Sequence, residues 1–274
     1  TMPARLSAIA LASLIAAGCA TSAELEPTEQ EAAVAEALES RSIAPATPEE
    51  REAIDNQDLL TQAAFWAEAY ELNPADREAA FKLSSVLRKL NSAPRAADVA
   101  RQALALHPDD MELQTALGLA LTASGQGAQA VEPLSRAHQS APEDWRILNA
   151  LGVALDQSGR PERARSRFEQ ALLASGGEPV VLNNLALSVM LSGDPERAES
   201  LLRRAAEDEA ASPEIRQNLA LALALQGRFD EAETVARMDS TPEMARQNLD
   251  YVRALMSSGR SYERLREADL RGAR

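Results

Sequence analysis

The sequence predicts an all-α chain built as a superhelical solenoid of paired antiparallel helices. Three observations predict it. Leu83, Leu117, Leu151, Leu185 and Leu219 recur at one constant interval, and so do Ala96, Ala130, Ala164, Ala198 and Ala232. The interval is about 34 residues, the length of a two-helix repeating unit. Gly125, Gly159, Gly193 and Gly227 keep the same spacing, with Asn91 in the first place of their column. The composition favours helix: 45% of residues are apolar, Ala and Leu dominate, and only 3% are aromatic. Ala and Leu are strong helix formers, whereas sheets draw on β-branched and aromatic residues.

The first element, residues 1–18, reads as a secretory signal. Arg5 supplies the positive start, and Leu6 to Ala17 form an uncharged apolar run. A bilayer span needs about 20 apolar residues, so the run fits a cleaved signal better than an anchor helix. It ends at Ala16-Ala17-Gly18-Cys19, which resembles a bacterial lipobox, although Ala16 stands where Leu is usual. The resemblance implies that Cys19, the sole cysteine, is acylated and becomes the mature N-terminus. The alternative is an ordinary signal peptide that contains a cysteine. Ala20 in the next place, by resemblance to envelope lipoproteins, directs the chain to the outer membrane, on its periplasmic face. Thr1 ahead of Met2 has no explanation in the sequence.

Residues 19–48 read as a tether, acidic at Glu24, Glu26, Glu29 and Glu31. A short helix is expected over Thr28 to Ser40. Pro45 and Pro48 then break the chain, because proline blocks helix continuation and restricts the residue before it. Residues 49–76 read as one N-terminal helix, a half repeat closed by Pro74, with Pro48 suited to its first turn. Five full repeats follow: 77–110, 111–144, 145–178, 179–212 and 213–246. Residues 247–274 hold the rest of a capping helix that runs from Met244 to Met256, and a charged tail.

Within each repeat the columns have mechanical reasons. The small residues Ser84, Gly118, Gly152, Ala186 and Ala220 allow the second helix to pack close to the first. Leu134, Phe168 and Leu202 fill the space above them. The column of Asn91 and the four glycines accepts the left-handed conformation that ends a helix. Pro74, Pro108 and Pro142 end the second helix. This pattern resembles the tetratricopeptide repeat (TPR), two antiparallel helices in about 34 residues.

A narrower resemblance lies toward the C-terminus. Arg216-Gln217-Asn218-Leu219-Ala220, then Gly227-Arg228-Phe229 and Glu231-Ala232-Glu233, together with Asn183-Asn184-Leu185-Ala186-Leu187 upstream and Asn248, Tyr251 and Arg253 downstream, resemble the TadD family. Those are TPR lipoproteins of tight-adherence (Flp-type) pilus assembly. The resemblance covers roughly residues 140 to 256 and the lipoprotein start. It implies an adaptor that binds, and helps localise or assemble, the outer-membrane secretin or another pilus-assembly component. The open alternative is a general periplasmic scaffold that recruits peptidoglycan-remodelling enzymes.

Other classes are disfavoured. A net charge of −14 opposes nucleic-acid recognition. The two histidines, His107 and His138, occupy different repeat positions, so shared metal ligation is not expected. The sequence holds neither a phosphate loop nor a nucleophile elbow. No catalytic residue, metal or cofactor is expected.

The expected site is a groove lined by the first helices of the repeats, where stacked arrays bind partners. Its columns are Phe81, Thr115, Asn149, Asn183 and Gln217; Ser85, Leu119, Val153, Leu187 and Leu221; Arg88, Thr122, Asp156, Met190 and Ala224; and Lys89, Ala123, Gln157, Leu191 and Leu225. The groove runs from basic in the first repeat to apolar in the last two. Asn149, Asn183, Asn184, Leu187, Met190, Leu191, Gln217, Asn218, Leu221 and Leu225 are the expected peptide contacts. Apolar residues supply affinity, and amides both donate to and accept from a peptide backbone.

Overall fold

The computed structural model describes residues 46–208 and 211–257. Cys19, the expected signal and tether helix, and the charged tail lie outside the described residues. Every regular element among those described is a helix: α1 Pro48–Ile54, α2 Leu59–Leu72, α3 Arg77–Lys89, α4 Ala93–Leu106, α5 Met111–Ala123, α6 Gly127–Ser140, α7 Trp145–Gln157, α8 Pro161–Ser175, α9 Pro179–Leu191, α10 Pro195–Ala206, α11 Pro213–Leu225, α12 Phe229–Ala236 and α13 Pro242–Ser257. The first helices α3, α5, α7, α9 and α11 start at the constant interval read from the sequence, and so do the second helices from α2 to α12.

Helix starts follow local chemistry. Asp58, Asp76, Asp110 and Asp144 cap α2, α3, α5 and α7 by accepting from first-turn backbone N–H groups, which would otherwise lack partners. Pro161, Pro179, Pro195 and Pro213 open α8 to α11, with φ already set for the first turn, and Asp194 also caps α10 by accepting from the Arg197 N–H. The ends of the first helices repeat one motif. Asn91, Gly125, Gly159, Gly193 and Gly227 have φ of 58°, 72°, 74°, 91° and 80°. The next residue's N–H then reaches back into the helix: Ser92 to Leu87 O at 2.8 Å, Gln126 to Leu121 O at 2.8 Å and Arg160 to Leu155 O at 2.9 Å. This is the Schellman closure, and it needs a residue that tolerates positive φ.

The half repeat expected over 49–76 is two helices. Thr47 and Glu50 form a reciprocal capping box that fixes the start of α1 at Pro48. Asp58 starts α2 afresh, so one continuous helix is precluded. In register, α1 is a shortened first helix and α2 its full partner. Arg51 clasps α1 to the next repeat through Asp76 and Glu78, and Lys82 returns the contact to Asp55. Both cations lie over the ring of Trp66, at 5.5 and 5.8 Å from its centroid, a favourable use of the ring's negative face.

Each second helix packs on its own first helix and on the next one, and each first helix from α3 to α11 touches the first helix after it. The first helices therefore form the inner, concave layer and the second helices the outer one. The core runs between the layers. It passes through α9, whose Leu185 and Val189 join the preceding repeats while Leu182, Ala186 and Met190 join the following ones. Three helical glycines mark close approaches: Gly118 against Leu134, Gly127 against Gln157 and the Ala154 carbonyl, and Gly152 against Phe168. A Cβ on Gly152 would lie 2.5 Å from the Phe168 ring, so only glycine permits that helix spacing.

Candidate functional site

The inner layer presents the expected columns on successive helices α3, α5, α7, α9 and α11. One column pairs with its neighbour to make an amide ladder. The Asn184 side-chain N–H donates to the Asn149 carbonyl oxygen at 3.0 Å, and Asn218 donates to Asn183 at 2.8 Å. The ladder ties α7 to α9 and α9 to α11. These four amides thus bond one another across repeats, a stabilising arrangement for buried and half-buried polar groups.

Burial sorts the ten expected contacts. Asn183, Met190 and Leu225 are 5%, 3% and 7% exposed. Their surface is taken up by packing between adjacent repeats, so they line the wall from behind and offer little to a ligand. Leu187 and Leu221 are half-buried along the floor, and Leu191 and Gln217 are exposed. Asn149, Asn184 and Asn218 are half-buried and held in the ladder. The accessible floor continues through Leu119 and Val153 in earlier repeats. At the first repeat Lys82 is engaged by Asp55, while Arg88 and Lys89 have no ion pair among the described residues.

The inner layer runs one helix beyond the five expected first helices. Helix α13 packs against α11 and α12. Its buried Ala245, Leu249 and Val252 repeat the mutual spacing of Ile215, Leu219 and Ala222, which are buried in α11. They arrive four positions too soon for the period. Arg253 stacks over Phe229 at 4.3 Å and fixes the helix's roll. With that register Asn248 continues the column of Asn184 and Asn218, and Tyr251 that of Leu187 and Leu221. The signal was the Asn-Leu pair of Asn218-Leu219, which returns as Asn248-Leu249 ahead of its turn.

Asp156 is the electrostatic outlier of the inner face. Burial pushes its carboxyl up to about 6, against the opposing pull of the Ser188 hydroxyl and Arg165. The folded chain therefore holds this proton more tightly than the unfolded chain does. Stability from this group is complete below the ordinary carboxylate pKa and is lost as pH rises through about 6. Asp156→Asn is expected to stabilise the protein at pH 8 by about 1–2 kcal/mol, allowing for residual water contact. The gain shrinks as pH falls from about 6 to about 4, and urea unfolding at the two ends of that range measures it. A gain that is equal at both ends would refute the assignment.

The histidines stand apart. His107 Nε2 faces the Ala75 carbonyl at 3.0 Å, and His138 faces Arg167. Burial and the Arg167 charge hold His138 below the usual imidazole range. Among the described residues no three His, Cys, Asp or Glu side chains gather as a metal site would require.

Family models described as tetratricopeptide repeat match residues 121–186 and 189–259, and a second such model matches residues 62–111. The chain belongs to the tetratricopeptide repeat family. No curated protein matches the sequence. Among solved structures, the TPR fold here is similar to that of PilW, a widely conserved type IV pilus biogenesis factor, with a TM-score of 0.61 and 19% identity over 70% of this chain and 92% of that one. It is also similar to a thermophilic TPR protein of Thermus thermophilus, with a TM-score of 0.53 and 22% identity over 60% and 90% of the two chains. MamA of Desulfovibrio magneticus gives 0.51 and 20% over 57% and 89%. At these identities the likeness establishes the fold. TPR arrays use their concave layer to bind proteins, and the layer described above is of that kind.

Proposed function

We propose that this TPR protein is an outer-membrane lipoprotein that acts in Flp-type tight-adherence pilus assembly, binding the secretin and helping to localise or assemble it. The observation that carries the reading is the TadD-like string Arg216-Gln217-Asn218-Leu219-Ala220. It falls on α11, where it supplies both a rung of the amide ladder and an exposed groove residue. The resemblance of Ala16-Ala17-Gly18-Cys19 to a lipobox supports an anchored position at the periplasmic face of the outer membrane. The fold shared with PilW is consistent with a pilus role.

The mechanism is physical. Acyl chains fix the location, since each buried methylene contributes about 0.8 kcal/mol and several chains together hold a protein on a membrane. The concave layer then holds a partner segment by apolar contact along Leu187 and Leu221. Deleting the gene and fractionating the envelope tests the reading. The secretin is expected to leave the outer-membrane fraction and to return with the wild-type gene but not with Cys19→Ala. An unchanged secretin, with displaced peptidoglycan-remodelling enzymes, would replace this reading by the scaffold one.

A further inference from the structure

The inner layer is not uniform in how its polar groups are used. The amides of the ladder bond one another from α7 to α11. Beyond that point the ladder stops: Gln217 on α11 and Asn248 on α13 are exposed and have no hydrogen-bond partner among the described residues. Beside them stand the largest exposed apolar groups of this face, Tyr251 at 64% and Met244 at 55% exposure. Apolar side chains flanked by free amides are what a peptide backbone with apolar side chains requires.

The rim adds a charge. In the first two full repeats the glutamate in the first turn of the first helix is closed by a cation from the repeat before: Arg51 reaches Glu78, and Arg77 reaches Glu112. The place that Arg77 fills for Glu112 is held by Pro179 for Glu214. Glu214 is exposed and has no ion pair among the described residues, and the same holds for Glu178 at the start of α9. The pairing that closes Glu78 and Glu112 is thus open at Glu214, one turn before the free amide of Gln217 on the same helix.

We propose that the groove anchors its ligand at the α11–α13 end, and that the ligand is a protein segment combining large apolar residues with Lys or Arg. Tyr251 and Met244 take the apolar residues, Gln217 and Asn248 the backbone, and Glu214 the cation. The inference rests on the reading that the concave layer binds protein, and it names the end and the chemistry.

The test uses the whole chain and a random dodecapeptide library displayed on phage, with the selected sequences resynthesised for fluorescence anisotropy. Enriched peptides are expected to pair Leu, Ile, Phe or Met with Lys or Arg. Tyr251→Ala is expected to weaken them at least about tenfold, as loss of an aromatic anchor does, with the helical circular dichroism unchanged because Tyr251 is exposed. Glu214→Lys is expected to shift the selection away from Lys and Arg. Enrichment of acidic peptides, or affinity indifferent to Tyr251→Ala and to Gln217→Ala with Asn248→Ala, overturns the proposal. If Leu187→Glu abolishes binding while the α13 changes do not, the groove stands and this inference falls. If none of the changes matters, or no peptide is enriched, both fall.

Discussion

Replacing Phe168 by Ala is expected to destabilise the protein by about 3–5 kcal/mol, the usual cost of emptying a fully buried aromatic site. Phe168 is 1% exposed and lies directly on Gly152. The ring fills the space that the missing Cβ leaves, so the two positions act as one. Gly152→Ala alone is expected to cost about 1–3 kcal/mol, because the new methyl meets the ring and forces helix α8 outward. Together the changes are expected to be sub-additive, since without the ring the new methyl has room. Urea unfolding of the two single variants and the double variant measures all three. Strict additivity would show that the helices are spaced by something other than this contact. The same logic applies one repeat earlier, where Leu134 covers Gly118.

The repeat was legible because each of its marks has a local physical cause. Glycine at Gly125, Gly159, Gly193 and Gly227 is required by a positive φ, and the requirement recurs with the turn. Gly118 and Gly152 are required by close approach. Such needs leave a residue type at a fixed place, which a ruler of constant length finds.

Features set by packing were less legible. Met190 and Leu225 fall on the groove stripe by helical periodicity, yet they are drawn into the contact between neighbouring repeats. The break between α1 and α2 was hidden because a helix of seven residues has too few positions to show a period of its own. Pro133 would ordinarily end a helix, but α6 continues through it, with Leu134 and Ala137 buried in the core beyond. The groove's extension onto α13 was hidden by the short α12. That helix ends at Ala236, and Arg216 grips Asp239 with two bonds of 2.6 Å in the turn that follows. The turn brings α13 in early and breaks the regular spacing while preserving the packing.

Charge in the inner floor is expected to have the largest effect on function. Leu187 and Leu221 are half-buried on adjacent helices, each with one side on the core and the other on the groove. Two carboxylates there would be desolvated by any apolar ligand, and desolvating an unpaired charge is costly. Binding is therefore expected to be abolished by Leu187→Glu with Leu221→Glu, while the solenoid keeps its other contacts. The most direct measurement is a pull-down from detergent-solubilised membranes, with the wild type beside this double variant and circular dichroism to confirm that both are helical. The account predicts that the wild type retrieves the secretin and that the helical double variant does not. Retrieval of the same proteins by both would contradict the assignment of the concave layer as the binding face.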